Sequence, residues 1–127
     1  MYNPRLLPYR SQAIVDVETA VLSVFKISYT DFETHMHVRR GEYRDARYYT
    51  WLVLRSMTTY SYKRLAKIYP KDRVTIMHGV NVLLDDIDRN RAKRALFMHI
   101  VDLLRDKGYS LPDGWEHMVR KRNIYGL

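Results

Sequence analysis

The amino-acid sequence predicts an all-α protein built as a small helical bundle. Apolar residues recur at the 3.6-residue helical spacing in several successive windows. No window shows the two-residue alternation of a half-buried strand, and capping residues stand ahead of the periodic runs. The chain has 127 residues, which favours one domain. That size buries roughly two-thirds of the unfolded chain's surface, enough for a core without staples. Apolar residues at 46% and charged residues at 28% fit a globular composition.

The first ten residues, with Pro4 and Pro8, read as an extended arm. Ser11 is the N-cap expected for a helix with apolar residues at 13, 14, 17, 20, 21, 24 and 25. Ser28 followed by Asp31 resembles a capping box and opens a short helix. "HVRRGE" is a basic loop in which Gly41 supplies permissive backbone. A long helix is expected from about Glu42 to Met57, burying Tyr43, Ala46, Thr50, Val53, Leu54 and Met57. "TTYS" interrupts it. Ser61 then caps a short helix through about Tyr69, with Leu65 and Ile68 inward, and Pro70 closes it.

The next helix has its apolar stripe at 76, 77, 80, 83, 84 and 87, with His78 read as a buried histidine. Its entrance carries Lys71, Asp72, Arg73, Val74 and Thr75. Two helices joined by a tight turn, the second opening on polar and cationic residues, form the layout of a helix-turn-helix. The apolar phase slips around Asp88 to Asn90. A further helix runs to about Lys107 with Leu96, Ile100, Leu103 and Leu104 inward. "GYSLPDG" is a turn and "WEHMVRKRN" a last short helix. The expected organisation is an arm at 1–10, a helix-turn-helix domain at 11–89, and a C-terminal helical extension at 90–127 packed on that domain.

Charge is unevenly placed. Residues 1–38 carry three Lys/Arg against four Asp/Glu, residues 39–78 ten against three, and residues 79–127 nine against seven. Most of the net +8 therefore lies in the middle third, as expected of a zone facing a polyanion. The absence of cysteine excludes disulfides and thiolate zinc sites and fits a reducing cytosol. No signal-peptide or membrane-span pattern is present, so a cytoplasmic, nucleoid-associated location is expected and no membrane partner.

Enzymatic patterns are missing. Glycines 41, 79, 108, 114 and 126 form no phosphate-binding loop, and histidines 35, 37, 78, 99 and 117 show no metal-ligand spacing. Asp85, Asp86 and Asp88 read as a solvated helix end whose carboxylates face different directions. No nucleophile–base pair stands out. No catalytic residue, metal or cofactor is expected.

The stretch "ARYYTWLVLRSMTTYSYKRLAKIYPKDRVTIMHGV" resembles the C-terminal DNA-binding domain of the bacterial chromosomal replication initiator DnaA, a Trp-repressor-like helix-turn-helix. Ala46 and Arg47 match that family's first motif; Thr58, Ser61 and Leu65 match its second. Asp72, Thr75, Ile76, Met77 and His78 match its third. The similarity covers roughly residues 13–88. The turn is one residue shorter, with Tyr69 and Pro70 in place of Phe-Gly-Gly. Lys71, Arg73, Val74 and Tyr48 replace the family's Arg, His, Thr and Gln.

The resemblance implies sequence-specific binding of double-stranded DNA without an ATPase module, in replication initiation or its regulation. Residues 71–75 would enter the major groove: Lys71 and Arg73 as donors to guanine or phosphate, Asp72 as an acceptor for cytosine N4, Thr75 by hydroxyl or methyl. Asp72 and Thr75 are equally read as capping residues. Arg39, eight residues before Arg47, would enter the minor groove with Arg40 beside it. Arg47 and Tyr48 would begin an exposed helix face and touch phosphates. Ser61, Lys63, Arg64 and Lys67 would meet the DNA backbone from the helix before the turn. Two alternatives stand beside this. One is a protein-interaction module, or self-association through residues 90–127, using Trp115, Met118 and Val119; the other is a non-specific nucleic-acid binder.

Overall fold

The computed structural model describes residues 11–124, with backbone alone from residue 121 onward. The arm expected at 1–10 lies outside the described residues. Within them the chain forms seven helices and no strand: α1 (Gln12–Phe25), α2 (Tyr29–Thr34), α3 (Gly41–Met57), α4 (Tyr62–Ile68), α5 (Arg73–Arg89), α6 (Arg91–Arg105) and α7 (Trp115–Ile124). The all-α bundle that the periodicity calls for is present.

Side-chain caps start most of these helices. Ser11 Oγ accepts from the Ile14 N–H, Ser28 Oγ from Asp31, and Ser61 Oγ from Arg64, each satisfying a donor that has no partner inside its own helix. Asn90 does two jobs where the apolar phase slips. Its N–H closes α5 on the Asp86 carbonyl, and its side chain opens α6 by accepting from Lys93. The α3 start has no side-chain cap at Arg40, and Gly41 sits there at φ 73°, a left-handed value that other residues adopt only with strain.

Helix α3 is the centre of the bundle. From Ala46 to Met57 every residue except Tyr48 is buried, so this helix is enclosed nearly all round and not along one stripe. Helices α1 and α5 pack on it, α4 packs on α5, and α6 lies against α1 and α5. Tyr43 and Ile68, expected inward, are half-buried, as are Leu96 and Leu103, while Phe97 and Val101 fill the α6 contact.

The C-terminal helices share this core. Trp115 stacks on Phe97 with ring centroids 4.9 Å apart, Val119 is fully buried, and Met118 is half-buried. The apolar trio considered as an exposed docking surface is thus largely spent inside the fold. Asp85 and Asp88 do not face apart: separated by one helical turn, both meet Arg120 of α7, at 3.3 and 3.0 Å. Asp86 pairs with Lys93 at 3.0 Å. The acidic end of α5 is a docking edge for α6 and α7.

Two sets of polar contacts are buried where α4 and the turn after it meet α1 and α3. The Tyr69 hydroxyl donates to Glu18 of α1 at 2.7 Å, and Arg55 donates to the Tyr60 carbonyl while its guanidinium lies 4.5 Å from the Tyr62 ring centroid. A buried carboxylate and guanidinium are costly unless hydrogen-bonded, and these bonds offset that cost while tying the turn to α1 and α3.

Candidate nucleic-acid interface

The turn between α4 and α5 is compact because Pro70 sits inside it. Its ring fixes φ near −65°, and the Lys71 N–H closes back on the Tyr69 carbonyl at 2.7 Å, a three-residue turn. Asp72 follows as the N-cap of α5, its Oδ1 accepting from the Thr75 N–H at 2.7 Å. The Thr75 side chain and the Val74 backbone also favour the ionised carboxylate. Those interactions, led by the Thr75 N–H, hold the Asp72 carboxyl below its ordinary pKa. The carboxylate is therefore engaged chiefly by its own helix.

Arg73, Val74 and Thr75 form the exposed tip, with Val74 71% accessible. Arg120 reaches α5 at Asp85 and Asp88, roughly 15–20 Å along the axis from the tip at 1.5 Å per residue. Lys71 is half-buried behind the tip.

The basic loop before α3 lies within electrostatic reach of Lys71. The pKa of Lys71 is held below its ordinary value first by burial and then by the positive charges of Arg47 and Arg39. Three cations from the loop, α3 and the turn thus share one electrostatic neighbourhood. Arg39 and Arg40 are exposed. His35 stacks on Tyr43 of α3 with centroids 4.3 Å apart, which anchors the loop's start.

Arg47 corrects its sequence assignment. Only 4% of it is accessible, and its guanidinium donates to the carbonyls of His35 and Val38. Burial, followed by smaller opposing influences of Tyr48 and Arg44, leaves its pKa below the ordinary arginine value. It does not begin an exposed face. Its planar fork bridges two loop carbonyls and holds Arg39 and Arg40 in place.

Tyr48 is also corrected. It is half-buried against α5, where Gly79 leaves room for its ring, and the Arg44 guanidinium lies 5.3 Å from the ring centroid. His78 is exposed, not buried, one step off the stripe defined by Ile76, Val80 and Leu83. Ser61 spends its hydroxyl oxygen as the α4 cap and is half-buried. Lys63, Arg64 and Lys67 are exposed along α4, with Arg64 over the Tyr60 ring at 4.3 Å.

Gly79, Glu18 and Arg55 escaped the sequence reading. Periodicity marks apolar faces, and a charged residue at a core position gives it no signal. Gly79 carried one hint, as a glycine inside a helical stripe.

Among the described residues, no three His, Cys, Asp or Glu side chains gather to hold a metal ion, and no helix is long and apolar enough to cross a membrane. The chain matches no protein-family model, no curated protein and no solved structure.

Proposed function

We propose that this protein binds double-stranded DNA in a sequence-specific manner, presenting the first turn of α5 to the major groove and the Arg39 loop to the adjacent minor groove. The observation that carries this reading is the grouping of Lys71, Arg39 and Arg47 in one positive neighbourhood behind the exposed tip of Arg73, Val74 and Thr75. Like charges held together raise one another's free energy, and a polyanion relieves that repulsion. A helix N-terminus adds its own partial positive charge.

Division of labour follows from exposure. Arg73 is the exposed polar reader with half-buried Lys71 supporting it, Arg39 and Arg40 are the groove-width sensors, and Lys63, Arg64 and Lys67 are the phosphate contacts of α4. Arg47 and Tyr48 act beneath them as supports. The similarity to the initiator's DNA-binding domain adds a role at replication-initiation sites, as a binder that marks or occupies them. Protein docking through residues 90–127 is disfavoured by the burial of Val119 and the stacking of Trp115.

Selection of bound sites from a random duplex pool tests the proposal. An enriched motif, with affinity falling by orders of magnitude between about 50 and 200 mM salt, is the expected result. Salt-sensitive binding with no motif would leave only non-specific nucleic-acid binding. No binding would refute the reading.

A further inference from the structure

Val74 is the sole large hydrophobic side chain among the described residues that stands exposed, at 71%. It sits on the same turn as Arg73 and Thr75, at the tip assigned to the groove. A β-branched side chain is stiff, and valine has neither donor nor acceptor. Around it the hydrogen-bonding chemistry is one-sided. Arginine and lysine only donate. The Asp72 carboxylate beside them is engaged as the helix cap, its Oδ1 receiving the Thr75 N–H at 2.7 Å.

Resting on the DNA reading above, we infer that this tip is a head of donors and methyl groups, with Val74 recognising the C5-methyl of a pyrimidine beside guanine read by Arg73, with Lys71 supporting it. In the major groove guanine offers the acceptors N7 and O6, which suit arginine and lysine, and thymine offers a methyl group. Adenine and cytosine present amino donors that want an acceptor, and the tip keeps its acceptor at home. The substrate class is thus duplex DNA with guanine and thymine, or 5-methylcytosine, adjacent on the contacted strand.

The test uses the full chain and a fluorescent duplex carrying the selected site, with each thymine replaced in turn by deoxyuridine, which removes only the methyl. At one position the wild-type affinity should drop roughly fourfold, the scale of one buried methyl-sized group. Val74→Ala should bind the thymine duplex about that much more weakly and lose the difference between thymine and deoxyuridine there. Val74 lies on the surface, so the variant should keep its helical circular-dichroism spectrum. At the same position, 5-methylcytosine paired with guanine should bind more tightly than cytosine. Tight, salt-sensitive, motif-dependent binding that is indifferent to every deoxyuridine, or a sensitivity that persists in Val74→Ala, would overturn the methyl inference and leave DNA binding standing. Absence of any duplex binding would instead remove the DNA reading and this inference with it.

Discussion

The ring of Tyr48 lies against Gly79 so closely that a Cβ at residue 79 would stand 2.6 Å from the tyrosine Cε1. Trp51 Cζ3 would be 3.2 Å from the same atom. This contact sets how near α5 approaches α3, and so where the tip of α5 sits relative to the loop that leads into α3. Gly79→Ala should push the two helices apart and destabilise the protein by about 1–3 kcal/mol, measured by urea unfolding. Pairing it with Tyr48→Ala should recover part of that loss, because the clash is with the ring. An unchanged midpoint in the single variant would mean the helices are not held at this distance.

Arg47 and Arg39 should separate by readout. Arg47→Ala leaves two loop carbonyls without their donor and should cost about 2 kcal/mol of stability, with Arg47→Lys restoring little because a single ammonium cannot reproduce the fork. Arg39→Ala should leave stability within about 0.5 kcal/mol and weaken duplex binding. Thermal melts beside binding isotherms check both. Equal losses of stability in the two variants would contradict the support role assigned to Arg47.

Much of the helix order was legible because each amphipathic helix exposes one face, and the serine, aspartate and asparagine caps sit where their helices begin. Helix α3 defeats that logic. It is enclosed on nearly all sides, so periodicity showed only one of its buried faces and placed Arg47 and Tyr48 outside. The charged residues at its core positions, Arg47 and Arg55, donate to carbonyls contributed by loops, which a helix-face reading does not see. His78 went astray by the same route in reverse, as a residue beside the stripe taken to be in it. Of the candidate site, the exposed cations at 39, 40, 63, 64, 67 and 73 were visible as a local excess of charge. That Lys71 shares a neighbourhood with Arg39 is a tertiary fact no spacing encodes.

Alkaline pH should loosen the contact between α1 and the segment after α6. The Tyr109 hydroxyl donates to Asp16 at 2.8 Å, and its pKa is pushed up to about 12, chiefly by burial and then by the hydrogen bond and charge of Asp16. A raised folded-state value means the folded form keeps this proton longer than the unfolded form. The associated stability is present below about pH 10, the ordinary tyrosine value, and is lost as pH rises through about 12. Tyr109→Phe should flatten that part of the stability-versus-pH curve, measured by chemical unfolding. An identical slope in the variant would assign the effect elsewhere.

The C-terminal helices should be held more by stacking than by charge. Arg120→Ala breaks two partly exposed ion pairs and should cost less than about 1 kcal/mol. Trp115→Ala removes a half-buried ring from Phe97 and should cost roughly 2 kcal/mol or more. Amide exchange in α7 after each substitution distinguishes them. Faster exchange in the arginine variant than in the tryptophan variant would reverse the assignment.

The central claim is that the first turn of α5 reads bases, and Arg73→Ala tests it most directly. Its binding preferences should be measured against a randomised duplex library beside the wild-type protein at one salt concentration. The account predicts that discrimination collapses at one or two positions, at a cost of roughly 1–3 kcal/mol for the preferred base, while the remaining positions keep their order. A library ranking unchanged from wild type would contradict it.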